Sequence, residues 1–550
     1  MNTKRFISLT FAVIMASAMT SCGDASNTSK TNKKNETQSA TRVYTGFFNA
    51  RKKDAVTEDN AVKKLIAEKI GAQCDETWLG DAENDEQIVN EMLLSGNYPD
   101  FIASSSGSYQ KLLEANALVP IDQYWDEYPN IKNMYTDSEW NRVRAEDGHI
   151  YIVPLFSKNY IRDTGTDHGE EAFWVQVKVL EWAGYPDIVT LEDYFNLLES
   201  YIEANPTNEN GEPYIGYEIL ANDTYFFSLD NPPMFLDGYP NDGCCYVNED
   251  TLEACDYNRS PTAKRWFNKL NEEYAKGLID PECFLLTTDQ YYEKIKSGRV
   301  LGMVDQHWNF NNATLDLPPE CTYIPIGVTI DQGIKEHYHS QITMNNSSGV
   351  SVTVSCTDPD GAFKFMSDLL EPEILTLRFW GIEGKDYMVD DDGIFYQTEE
   401  QRKNWHDAEY AKANICLYNN LPYYFGMAQD GINAYCPSYQ PNEFYQKLSD
   451  DVKRCFDAYG VKTYVELLNE APENKPWYPM WTYNNTLTDN TPEGRVMKQL
   501  DALKHKYLPQ LVMTSDFEKT WEEYSAEYDT IDSKVYFDAL TAEVRRRCEY

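Results

Sequence analysis

Short apolar runs alternate along this chain with longer segments whose apolar positions recur every three or four residues. That is the pattern of buried strands followed by amphipathic helices. It is clearest around Ser95–Asp122. The helix formers Glu91, Met92, Leu93 and Leu94 lead to Ser95-Gly96, where glycine supplies the left-handed conformation that closes a helix. Pro99 forces an extended approach, and Phe101-Ile102-Ala103 reads as a short strand of the kind buried in a parallel sheet. Ser104, Ser105, Ser106 and Gly107 follow at its carboxyl end, and a helix starting near Ser108 carries Leu112, Leu113 and Leu118. A small polar loop there gathers backbone N–H groups and hydroxyls where open α/β sheets present ligands. An ordinary βα connection without a ligand would read the same way.

The alternation extends through the chain. Arg42–Phe48 is a first strand that delivers Asn49 to a loop, and Thr57 caps a helix with Val62, Leu65, Ile66 and Ile70 on its apolar face. Thr77-Trp78-Leu79, Gly148–Pro154, Phe173–Val175, Gly298–Met303 and Gly349–Ser355 read as further strands. Thr190-Leu191-Glu192-Asp193 has the form of a capping box before Tyr194, Leu197, Leu198 and Tyr201. Ser260-Pro261 opens a helix striped with Trp266, Phe267, Leu270 and Tyr274 and ended by Gly277. Asp358-Pro359 starts another, Asp392-Gly393 is a hairpin turn, and Trp521–Tyr524 leads into a final helix. No internal repeat or coiled coil is present, and the fold class is α/β.

The first forty residues bear on the compartment. Lys4-Arg5 precedes the apolar stretch Phe6–Ala18, which is too short to span a bilayer, and small residues then precede Cys22. This has the form of a bacterial lipoprotein signal, with residues 1–21 removed and Cys22 lipidated. Gly23–Thr41 is rich in Ser, Thr, Asn and Lys and reads as a disordered tether. The formal net charge is −41, and removing Lys4 and Arg5 makes it more negative, so the surface repels phosphate backbones and excludes nucleic acid as a partner. Forty Tyr and twelve Trp provide rings suited to stacking on flat polar ligands such as sugars, alongside their ordinary use in cores. The twelve cysteines contain no C-x-x-C pair. With Cys22 taken by lipid, Cys244, Cys245 and Cys255 are close enough to pair locally, and Cys74, Cys283, Cys356 and Cys455 sit in apolar contexts that fit buried thiols.

Several runs, in order, resemble the extracellular solute-binding proteins of family 1, which feed ABC importers. They are Ser95-Gly96 with Pro99-Asp100, then Ala117-Leu118-Val119-Pro120-Ile121-Asp122, and Gly148–Pro154. Ala183–Pro186 with Thr190–Tyr194, Gly277–Pro281 and Gly381–Tyr387 continue the series. The resemblance implies a two-lobed periplasmic-binding-protein-like fold with a ligand cleft between lobes joined by crossing strands. It places a first lobe at 42–158 and 345–380, and a second at 159–344, completed by 381–550. It also implies capture of a small polar ligand, expected to be an oligosaccharide, and delivery to permease subunits by lobe closure. The protein is then a monomer held by lipid at the extracytoplasmic face of the membrane.

Within that frame Trp308 is the leading ligand-stacking candidate, beside Asp305 and His307 at a strand end. Asn49, Ser105, Ser106, Gly107 and Tyr109 are the candidates from the first lobe. Tyr225 and Phe226 occupy a place where the family presents an aromatic, and Trp477 and Trp481 are further cleft candidates. Each aromatic has a plain core-packing reading beside it. Catalysis finds little support: Gly349-Val350-Ser351-Val352-Thr353 lacks the last glycine of a nucleophile elbow, and no phosphate-binding loop or H-E-x-x-H occurs. His337 and His339 on one strand face read as a solvated pair, Asp390–Asp392 as a solvated turn, and no cofactor or metal is expected. Two rival readings are a surface glycoside hydrolase, whose paired carboxylates would be invisible among 89 acids, and a mainly helical glycan-capture lipoprotein.

Overall fold

A computed structural model of the chain describes residues 41–51, 56–80, 84–145, 147–156, 165–222, 225–341 and 344–549. The expected signal segment, Cys22 and nearly all of the tether lie outside the described residues. No helix among the described residues is long and apolar enough to cross a membrane.

In chain order the strands are β1 (Arg42–Arg51), β2 (Ala72–Leu79), β3 (Phe101–Ala103), β4 (Val153–Phe156), β5 (Glu171–Gln176) and β6 (Ile215–Glu218). They continue with β7 (Tyr246–Asn248), β8 (Glu253–Cys255), β9 (Val300–Gln306), β10 (Tyr323–Ile326) and β11 (Asn345–Val352). One sheet runs β2-β1-β3-β11-β4, with β1 parallel to β2 and β3 and β11 antiparallel to β3 and β4. The other runs β10-β5-β9-β6, with β6 parallel to β9 and β5 antiparallel to both its neighbours. Both sheets are mixed, so the mainly helical alternative is set aside.

The period of two fixes both faces of the first sheet. Tyr44, Phe48, Phe101 and Ala103 point into one hydrophobic cluster, while Phe47 and Ile102 point into a smaller one with Leu79, Val89, Leu112 and Leu118. The second sheet has its own core, gathered around Phe173, Tyr194, Trp266, Leu301 and Tyr338. Two sheets with separate cores make two lobes. The chain passes from one to the other after β4, returns before β11, and leaves the first lobe again beyond Tyr435.

Local signals set the helices that cover these sheets. Ser260 accepts from the Ala263 N–H, Pro261 stands at the first helical position, and Gly277 closes the helix Pro261–Lys276 at φ 80°. Thr190 and Asp193 form the reciprocal capping box ahead of Leu191–Ala204. One start falls later than the sequence indicates: Asn60, not Thr57, caps Ala61–Ile70, and its amide also donates 2.9 Å bonds to the carbonyls of Lys412 and Ile415. The final helical region holds two helices, Phe517–Tyr528 and Lys534–Cys548.

One lobe boundary also differs from expectation. Residues 381–435 do not complete the second lobe, because Cys416, Tyr418, Leu421, Tyr423, Tyr424 and Tyr435 are buried in the first-lobe core. The cause is Arg378, fully buried at the end of the helix Pro372–Phe379. It donates to the carbonyls of Leu369, Leu417, Tyr418, Leu421 and Pro422 at 2.7–3.4 Å. From Val452 onward the chain packs into the second-lobe core instead.

Candidate functional site

β1 and β3 are parallel and adjacent, with Phe48 opposite Ala103, so their carboxyl ends bring Asn49 and the Ser104–Gly107 loop together. Asn49 and Gly107 are exposed. Ser105 is committed within the fold: its hydroxyl and its N–H both donate to Asp85 Oδ2, at 2.5 and 3.1 Å, and its Oγ caps the helix Ser106–Glu114. That helix begins two residues before the expected start, and the Ser106 side chain is outside the described set. Tyr109 is half-buried, and burial together with Tyr151 and Asp147 pushes its phenol up to about 12.

The second group forms at the carboxyl end of β9. The chain turns there into the short helix His307–Phe310, pinned by N–H bonds from His307 to the Glu170 carbonyl at 3.2 Å and from Trp308 to the Gly169 carbonyl at 3.3 Å. This leaves the Trp308 indole 55% exposed. Its Nε1–H donates to Gln306 Oε1 at 3.1 Å, and the Gln306 amide donates in turn to Glu171 Oε2 at 3.1 Å. The same Glu171 oxygen accepts from Asn231 at 2.9 Å, whose amide oxygen receives the Tyr257 hydroxyl at 3.0 Å. A continuous hydrogen-bonded chain therefore runs from the fully buried Tyr257 and Glu171 to an exposed indole, and fixes its orientation. Burial holds the Glu171 carboxyl well above the ordinary range, which favours its proton.

Asp305 faces inward. It is wholly buried and accepts from the Tyr291 hydroxyl at 2.7 Å, the Asn309 amide at 2.9 and 3.1 Å, and the Gln306 N–H at 2.7 Å. Burial is the main cause that pushes its carboxyl up to about 7. Its place is beneath the turn that presents Trp308. His307 lies half-buried, stacked on Trp174 at 5.3 Å, and burial lowers its imidazole while Asp167 opposes the shift.

Of the pair singled out from sequence, Tyr225 lies in an aromatic group that reaches Trp308 through Phe227, and Phe226 does not. Phe226 is buried and stacks on His505 at 3.9 Å. Its neighbour Phe227 approaches Trp308 at 6.1 Å instead, with Tyr225 a further 6.1 Å from Phe227. Tyr292, whose hydroxyl meets Asn309 at 2.5 Å, is in contact with Tyr225. Phe227, Tyr292 and Gln306 carry no sequence signal of their own. Trp477 and Trp481 sit elsewhere in the second lobe. Trp477 is buried and lines a cavity of about 400 Å³ with Tyr239, Tyr246 and Tyr478, while the Trp481 N–H bonds to the buried Asp242. His337 is not on a strand, and its Nδ1 contacts the Gly238 carbonyl.

No curated protein matches this sequence. Residues 80–381 match the profile of a family described as bacterial extracellular solute-binding protein. Among solved structures, the chain is similar to a human-milk-oligosaccharide-binding, ABC-transporter-associated solute-binding protein from Bifidobacterium longum infantis. That likeness has a TM-score of 0.60 at 15% identity and covers 92% of this chain and 99% of that one. FusA of S. pneumoniae in complex with kestose aligns at a TM-score of 0.55 and 16% identity over 92% and 99% of the two chains. The N-glycan transport solute-binding protein of Streptococcus pneumoniae aligns at 0.51 and 13% over the same shares. At these identities the likeness establishes the two-lobed, periplasmic-binding-protein-like fold.

Proposed function

Because this chain belongs to the bacterial extracellular solute-binding proteins, a family of transport proteins rather than enzymes, we propose that it captures an oligosaccharide between its lobes for an ABC importer. The supporting observation is the exposed Trp308 indole, held in place by Gln306 and Glu171 and flanked by Phe227. A ring fixed by a buried hydrogen-bond chain loses little freedom on binding, so its stacking on the apolar face of a pyranose is retained in the affinity. Asn49 and Gly107, at the strand ends of the first lobe, supply polar contacts to the same ligand. Differential contacts with the two lobes stabilise the closed form, which docks on the permease subunits. Lipid on Cys22 keeps the protein at the outer face of the membrane. The neighbours described as binding milk oligosaccharides and kestose support the sugar reading by analogy of fold.

A hydrolase is not favoured, since the family consists of binding proteins rather than enzymes. A tryptophan-fluorescence titration against manno-, xylo-, gluco- and galacto-oligosaccharides, paired with a reducing-end assay, tests the proposal. Saturable quenching by one series with no new reducing ends is expected. Silence across all four, or release of reducing ends, would refute it.

A further inference from the structure

A concavity of about 240 Å³ lies where the first-lobe helix Asp137–Arg142 meets the last helix of the second lobe, Lys534–Cys548. Its walls carry four arginines, Arg142 and Arg144 from one lobe and Arg546 and Arg547 from the other, with Ser138 and Asn141 at the side. This gathering runs against the composition of a chain with net charge −41. The carboxylate of Glu543 is shared by Arg546 and Arg547, at 2.6–2.7 Å. Glu139 and Glu543 both offset the positive charge around Arg142, and four guanidiniums against these two carboxylates leave the cluster net positive.

The two first-lobe guanidiniums are oriented but not saturated. Arg142 spends a single donor, on the Pro476 carbonyl at 3.0 Å, and Arg144 spends two, on Asn141 Oδ1 at 2.9 Å and the Gly148 carbonyl at 2.7 Å. Neither makes an ion pair among the described residues. A guanidinium carries five N–H donors. Arg378 shows how this fold treats an arginine that only builds structure: all of its donating nitrogens are spent on carbonyls. Burial is the main cause that lowers Arg142 below the usual arginine range, with the nearby Arg547 and Arg546 charges adding to it and Glu139 and Glu543 opposing it.

We infer that this seam is a binding site for a small oxyanion, a sulfate, phosphate or carboxylate group, held by the spare donors of Arg142 and Arg144 from one lobe, while Arg546 and Arg547 of the other lobe contribute positive charge. Arg547 spends four donors on Glu543, the Trp477 and Pro479 carbonyls and Thr482. Planar guanidinium forks match such groups bidentately. The volume admits one anion with several waters, at about 30 Å³ each. None of its residues belongs to the Trp308 group, so the site stands independently of the sugar reading.

The test is calorimetric titration of the protein with sodium sulfate at constant ionic strength, together with thermal unfolding in sulfate against chloride. The parent, Arg142→Gln and the more exposed Arg144→Gln are compared. Saturable sulfate binding is expected, weakened at least fivefold in Arg144→Gln and in Arg142→Gln where that variant folds. A non-saturating rise in Tm, equal in parent and Arg144→Gln, would overturn the site, since sulfate excluded from any surface has that effect. A uronate-bearing oligosaccharide and its neutral counterpart identify the source. Displacement of sulfate by the acidic glycan alone assigns the site to an anionic group on a glycan, and failure of both to displace it assigns the site to the free anion.

Discussion

At the scale of single residues, the site depends on which of several adjacent side chains turns outward. Phe226 and Phe227 stand at the start of the short helix Phe227–Asp230, where successive side chains are rotated by about 100°. Phe226 therefore falls into the core against His505, and Phe227 is directed toward Trp308. Phe226→Ala should cost about 3–5 kcal/mol of stability in urea unfolding, whereas Phe227→Ala should leave the midpoint nearly unchanged and weaken oligosaccharide binding. The run Tyr225-Phe226-Phe227 has no periodicity that separates these roles in sequence. The exposure of Trp308 was legible, because a polar strand end followed by an indole leaves few places to bury it. The inward turn of Asp305 was not, because its partners Tyr291 and Asn309 come from other elements.

Asp305 also carries a pH signature. Its folded-state pKa near 7 lies above the ordinary carboxylate value of about 3.9, so between roughly pH 4 and 7 the folded chain holds a proton that the unfolded chain has lost. Its contribution to stability accordingly falls as pH rises through that window and is constant above it. At ~1.4 kcal/mol per unit the change is on the order of a few kcal/mol. Thermal unfolding at pH 5 and pH 8 should show a smaller loss of Tm in Asp305→Asn than in the parent. Part of the loss should persist in the variant, because burial also raises Asp242 to about 7 and Asp230 to about 6. An identical loss in both proteins would rule out Asp305 as a contributor.

At the scale of elements, capping chemistry made helix starts readable where a proline at the first helical position follows the cap, as at Ser260-Pro261 and Asp358-Pro359. It failed at Thr57-Glu58-Asp59-Asn60, where three of the four residues are good caps and tertiary bonds from Asn60 to the 412–415 segment decide between them. The boundary at 381 was misplaced for a related reason. Nothing in composition changes there, and residues 416–435 are held to the first lobe by their buried side chains and by a buried arginine that reads in sequence as an ordinary helical charge. Arg378→Met would take the guanidinium from five carbonyls, of which Tyr418 keeps the Leu421 N–H, and should cost on the order of 3 kcal/mol or more. Hydrogen exchange should show the loss concentrated in residues 415–425, and uniform protection there would contradict the role given to Arg378.

At the scale of the whole molecule, two mixed sheets with separate cores give two bodies, and the chain passes between them more than once. The order of moderately specific runs along the sequence pointed to this architecture, although no run alone did so. Which loops meet across the lobes was not legible, since contacts between distant segments leave no periodicity behind. The central claim, that an oriented indole at the end of β9 holds a sugar, is tested most directly by calorimetric titration of the parent and Trp308→Ala with the oligosaccharide series that quenches fluorescence. Trp308 is largely exposed, so the variant should unfold at the parent's Tm. Its affinity should fall by about 2 kcal/mol, roughly thirty-fold. Unchanged affinity in a stably folded Trp308→Ala would contradict the account.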